Sequence, residues 1–233
     1  MVYFSGRRRK TASFFCAKFP KICKLTKGKV IKLIKSCAII AVTGLAACVG
    51  GTDPEGGVIT SGILTDVEIP SDAELQNVPQ PVRDLVSEFV RLNESYTRTE
   101  AMPTGSGSYT GNWGIGFDDN DVVIIGDMAL NADFDGNTLT GTVSNLQGDE
   151  NGTALDIQNS LSITSSIAAN SRLQGTATGV INVEGENYNV ESSLEGAFGG
   201  DNADALVGTT NGLVTNPDNS QDSFSGYFAA ERD

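Results

Sequence analysis

The chain has 233 residues, 29 Asp plus Glu against 16 Lys plus Arg, and no His, for a net charge of −13. That charge is segregated: 11 basic residues precede Cys48, whereas every acid follows it, opposed only by Arg83, Arg91, Arg98, Arg172 and Arg232 for a net −24. With no His, Lys or second Cys beyond Cys48, the downstream chain excludes Ser-His-Asp triads, Schiff bases, His-ligated haem, His/Cys zinc sites and disulfide frameworks, and its acid excess repels nucleic acid and anionic polymers.

The first element is an apolar run over residues 37–47, preceded by Lys29, Lys32 and Lys35 and ending in small residues. This is the pattern of a cleaved secretory signal, and the run is shorter than the roughly 20 apolar residues a permanent span needs. Leu45-Ala46-Ala47-Cys48 resembles the lipobox of bacterial lipoproteins, which implies that residues 1–47 are a removed signal peptide and that Cys48 carries the lipid. The additional basic stretch of Arg7, Arg8, Arg9 and Lys10 reads as an over-extended start, with Val30 as the initiator of a compact signal. Nucleic-acid binding by that stretch is the rival reading, set aside because the segment is removed at export. Val49 after the cysteine resembles lipoproteins sorted to the cell outer membrane, with inner-leaflet placement and surface exposure both open.

Residues 48–80 are rich in Gly, Pro, Asp and Thr, with Val58, Ile59, Ile63 and Leu64 as short apolar patches. They read as a flexible lipidated tether with a reach on the order of 30 Å. Pro81 then opens an amphipathic helix over 81–98, placed at its first position. Val82, Leu85, Val86, Phe89, Leu92, Asn93 and Tyr96 form one face, which packs on the domain that follows.

From residue 105 to 233 the period changes to two. The alternating sets are Tyr109 to Phe117; Met128 to Phe134; Leu139 to Val143; Leu155 to Ile163; Leu173 to Val183; Tyr188 to Phe198; Leu206 to Val214; and Phe224 to Ala230. Turn clusters separate them, so the expected fold is all-β: an eight-stranded antiparallel up-and-down soluble β-barrel, preceded by one helix and a tether. Gly111, Gly141, Gly175, Gly196 and Gly226 fall on the apolar face, where a small barrel must bend. Asp127, Asp133 and Glu195 on the opposite face argue that the apolar face looks inward, away from lipid.

The last three strands carry a recognisable pattern: Gly196 and Phe198, a loop with Gly200, Asn202 and Ala203, then Gly208, then Gly226, Phe228 and Arg232. This resembles the C-terminal barrel of transferrin-binding protein B-like surface lipoproteins. The resemblance implies a lipid-anchored outer-surface protein that binds a protein or iron-carrier ligand through variable loops, and a surface-lipoprotein translocator as a further partner. No ligand-contacting residue carries over by motif. The loop residues Asp118, Asp119, Asn120, Asp121, Asp201 and Asn202 are the candidate ligand contacts, with no catalytic residue, cofactor or metal expected. Asn131, Asp133, Asp135, Gly136 and Asn137 match the first half of a calcium loop but lack its closing Glu, with Thr142 in that place, and read as a hairpin turn. The competing function is a structural envelope lipoprotein or a small-solute-binding barrel.

Overall fold

The computed structural model describes residues 57–76, 78–117 and 121–233. Cys48 and the expected signal peptide, 1–47, lie outside the described residues. In chain order a hairpin pairs β1 (Val58–Ile59) with β2 (Val67–Glu68), followed by α1 (Asp72–Leu75) and α2 (Gln80–Ser95). Then come β3 (Ser106–Phe117), β4 (Val122–Asp133), β5 (Thr138–Glu150), the short β6 (Thr153–Leu155) and β7 (Ile157–Gln158), and β8 (Leu161–Ile167). The chain finishes with β9 (Arg172–Val183), β10 (Glu186–Gly199), β11 (Ala205–Thr215) and β12 (Gln221–Arg232).

The eight strands β3, β4, β5 and β8 to β12 each pair antiparallel with the next, and β12 returns to pair with β3. The sheet is therefore a closed up-and-down barrel, as the period-two pattern predicts. Trp113, Phe198, Phe224 and Phe228 are fully buried within it, while Asp127, Asp133 and Glu195 are exposed on the outer wall. The closing seam depends on two glycines. A Cβ on Gly111 would lie 2.0 Å from the Ala229 carbonyl oxygen, and one on Gly226 would lie 2.0 Å from that of Gly114. Side chains there would force β3 and β12 apart.

Two features depart from simple alternation. In β5 the register against β4 shifts between Ile125 and Asp127, where Asn145 takes a left-handed conformation (φ 51°). The inward residues change from odd to even there: Leu139 and Val143 are buried before the bulge and Leu146 after it. The strand thus runs on to Glu150, well past the expected end at Val143. The fourth expected strand is broken. β6 pairs with β5, β7 pairs with β9, and only β8 bridges both, beyond a kink at Asn159 (φ 77°).

Outside the barrel, α2 lays Leu85, Val86, Phe89 and Leu92 on a wall built from Ala197, Ala205, Val207, Tyr227 and Ala229. Small side chains let the helix approach closely, and the Phe89 and Tyr227 rings meet at 4.9 Å. The helix starts one residue before the expected position, leaving Pro81 second, and stops at Ser95 instead of 98. The reason for the early stop is that 97–99 are needed as extended chain. Thr99 N–H donates to the Phe198 carbonyl and Gly200 N–H to the Thr97 carbonyl, both at 2.9 Å.

Residues 57–76, assigned by composition to the flexible tether, are folded instead, and Ile59 and Ile63 are buried with the helix. Asn93 holds this segment. Its buried Oδ1 accepts from Leu64 N–H (2.7 Å), its Nδ2 donates to the carbonyls of Ser61 (3.3 Å) and Leu64 (3.2 Å), and its own carbonyl accepts from Ile63 N–H (3.1 Å). A capping box between Ser71 and Glu74 starts α1.

Candidate functional site

The connections divide between the two ends of the barrel. One end carries 134–137, 168–171 and 200–204 together with the C-terminus. The other carries the β3–β4 connection, 151–152, 156–160, 184–185 and 216–220. The candidate ligand residues are therefore split. Asp201 and Asn202 stand at the first end and Asp121 at the second, while Asp118, Asp119 and Asn120 lie outside the described residues.

The first end is clasped shut. Tyr109, wholly buried, donates its hydroxyl to the Ala203 carbonyl at 2.6 Å, and burial pushes its pKa above the ordinary tyrosine range. Arg232 ties together the rim on both sides of β12, donating Nη1 to the Asn202 carbonyl (2.5 Å) and Nη2 to the Ser106 carbonyl (3.1 Å), with its guanidinium 5.8 Å from the centre of the Phe134 ring. Phe198 packs against both Phe134 and Tyr109 beneath it. Ser171 donates its hydroxyl to the Thr99 carbonyl, and Thr99 donates its own to the Gly200 carbonyl. The 200–204 loop is held by tertiary contacts, its backbone fixed by left-handed Gly200 and Ala203. Asn202 thus serves the clasp through its carbonyl, and the Asp201 side chain is exposed beside it.

The second end has no such strap. It carries Asp121, Asp149, Glu150, Asp156, Glu184, Glu186, Asp218 and Asp222, and no arginine stands in any of its described connections. Two of its turns are two-residue hairpins with both central residues at positive φ, Asn151-Gly152 and Glu184-Gly185. In the longest, Asp218 accepts from the Ser220 N–H (2.9 Å) and hydroxyl (2.6 Å), which hold its pKa below the usual carboxylate range. Asn216 Nδ2 bridges Ser220 (2.8 Å) and Asp222 (2.9 Å). Tyr188 donates to Glu186 at 3.3 Å. Its pKa is raised, first by burial and then by Glu186, Asp222 and Asp218, so these carboxylates converge on one tyrosine.

The candidate calcium loop is a turn. Asp133 accepts from Gly136 N–H at 2.9 Å, and among the described residues no three His, Cys, Asp or Glu side chains are grouped to hold a metal ion. Asn93 and Arg232, the residues on which the hairpin and the clasp depend, carry no local signal of that role. Arg232 is visible only as the last member of the C-terminal pattern.

The family described as the C-lobe and N-lobe β-barrels of Tf-binding protein B matches residues 96–232. The chain belongs to this barrel family. Solved structures similar to it include a tryptophan-to-alanine mutant of the vaccine antigen transferrin-binding protein B from Haemophilus parasuis Hp5. That structure is 18% identical, covers 58% of this chain and 28% of its own, and has a TM-score of 0.40. The isotype 1 transferrin-binding protein B from serogroup B Neisseria meningitidis is 19% identical, over 59% of this chain and 27% of its own, with a TM-score of 0.33. The chain thus spans under a third of the length of these structures, and no curated protein matches it. On this Tf-binding protein B-type barrel the C-terminal pattern has a structural explanation: Gly196, Phe198, Gly208, Gly226 and Phe228 line the interior and the closing seam, and Gly200, Asn202, Ala203 and Arg232 make the clasp.

Proposed function

We propose that this protein is a lipid-anchored outer-membrane lipoprotein, exposed at the cell surface, that captures a protein ligand through the loops of its unstrapped barrel end. Cys48 carries the lipid after removal of residues 1–47, and a surface-lipoprotein translocator delivers the barrel. The observation that carries the reading is the contrast between the ends. One is closed by Arg232 and Tyr109, whereas the other offers short, rigid turns bearing eight carboxylates to solvent. Such an end suits a ligand with a cationic face, and an iron-carrier protein is one candidate of that kind. Asp121 stands at this end, and Asp118, Asp119 and Asn120, which precede it in the sequence, stay candidates for the contact, whereas Asp201 and Asn202 stand at the clasped end. The aromatic filling of the interior disfavours a small solute in the lumen.

Protease treatment of intact cells tests exposure, with degradation of the barrel before the outer membrane is opened as the expected result. A barrel left whole until that membrane is breached rules out surface capture. Affinity capture with the full chain, compared with a D121N/E186Q/D218N/D222N variant, tests the face: the ligand is retained by the first and lost by the second.

A further inference from the structure

The outer wall holds a polar groove of 360 Å³ beneath the β1–β2 hairpin, on a side of the barrel the loop-binding reading does not use. Its floor is one cross-strand row, Ser166 on β8, Gln174 on β9, Glu195 on β10 and Thr209 on β11, in register through successive pairings. Arg172, two residues before Gln174 on β9, flanks the middle of this row, and Leu64 and Val67, both half-buried, form the roof.

The charge pattern makes this groove unusual in so acidic a chain. Among the described arginines, Arg83, Arg91 and Arg232 spend their guanidinium groups on carbonyl, amide or carboxylate oxygens. Arg172 and Arg98 spend theirs on nothing within the described residues. These two are aligned. Arg172 pairs with Ala197 on β10, and Arg98 bridges Gly199 on the same edge, because Phe198 donates its N–H to Ser171 and accepts through its carbonyl from Thr99. Gln174, Glu195 and Thr209 likewise make no side-chain hydrogen bond to another described residue, whereas Ser166 donates its hydroxyl to the Gln174 carbonyl at 3.3 Å.

We propose that this groove binds a monoanionic sugar of the uronic acid class. A forked guanidinium matches a carboxylate, and unspent amide, hydroxyl and carboxylate side chains in a row match ring hydroxyls as both donors and acceptors. Leu64 and Val67 supply an apolar edge for the C–H face of a sugar ring, and the volume lies in the range of roughly 300–1,000 Å³ typical of small-ligand sites. Glu195 in the floor and the exposed Asp66 beside the roof oppose a compact dianion such as phosphate, and leave room for a single negative charge seated on Arg172.

Titration calorimetry of the full-length chain with glucuronic acid, glucose and inorganic phosphate tests this. Glucuronate is expected to bind at least about tenfold more tightly than either of the others, as one charge-assisted hydrogen-bond pair allows. R172Q, checked for an unchanged thermal midpoint, should remove that preference, and E195Q should weaken glucose while weakening glucuronate less, because it also removes a charge that opposes the carboxylate. R83Q, on the far helix, should change nothing. Phosphate binding as well as glucuronate, an R172Q variant that keeps the preference, or no binding of glucuronate at all would each overturn the proposal. None of these outcomes bears on capture through the loops, which is read by shaving and affinity capture at another face.

Discussion

Arg232 shows how one side chain near the end of the chain fastens the barrel. Its two hydrogen bonds and its stacking on Phe134 tie β12, the 200–204 loop and the start of β3 into one unit. R232Q is expected to cost about 1–3 kcal/mol, by the usual worth of charge-assisted bonds and an exposed cation–π contact. The check is a lowered denaturant midpoint at an unchanged m-value, with R83Q within about 0.5 kcal/mol of wild type. Tyr109 and Tyr227 add a pH signature. Burial raises the pKa of both, and their hydroxyls donate to the carbonyls of Ala203 (2.6 Å) and Glu68 (2.7 Å). Below about pH 10 the folded and unfolded chains both keep these protons, so the stabilisation is complete. Above it the unfolded chain ionises first, and stability falls as pH rises. Unfolding midpoints between pH 8 and 11.5 should decline, and the Y109F/Y227F double variant should start lower but decline less.

At the scale of elements, the strands were legible wherever one face stays inward from end to end, as in β3, β9 and β12, because a period of two then survives in the sequence. The second half of β5 was not legible, since the left-handed Asn145 flips which residues face in and erases the alternation. The β1–β2 hairpin was hidden for a different reason: its strands are two residues long and its order comes from Asn93, 25 residues beyond β2, so no local pattern marks it. The same holds for the candidate site. An acidic turn such as 118–121 is visible as composition, but 200–204 looks alike in sequence and becomes a clasp only through Arg232 and Tyr109. Glycines separate the two kinds of information further. Gly111→Ala would set a methyl 2.0 Å from the Ala229 carbonyl on the closing seam, whereas Gly116→Ala meets its nearest atom at 3.9 Å. G111A should therefore prevent a cooperative thermal transition from forming, and G116A should stay within about 0.5 kcal/mol of wild type.

For the molecule as a whole, charge follows architecture. The described arginines lie on α2, beside the clasp or within it, while the unstrapped end carries carboxylates alone in its described connections. Such a field reaches only about 8–10 Å at physiological ionic strength, so it governs the encounter with a ligand more than the stability of the bound state. Neutralising Asp121, Glu186, Asp218 and Asp222 should therefore slow association with a cationic ligand and flatten its salt dependence, with a smaller effect on dissociation. Tyr188 offers an internal gauge that the field has changed. Because Glu186, Asp222 and Asp218 add to burial in raising its pKa, removing their charges should lower that pKa toward the ordinary value without reaching it, burial being the larger cause. Absorbance titration near 295 nm in the quadruple variant and in a Y188F control isolates this one phenol. A shift confined to chains that retain Tyr188, accompanied by slower association at low salt and equal association at high salt, would mean that the same carboxylates set both quantities. A Tyr188 titration that moves while the association rate stays fixed would remove the acidic end from the binding step.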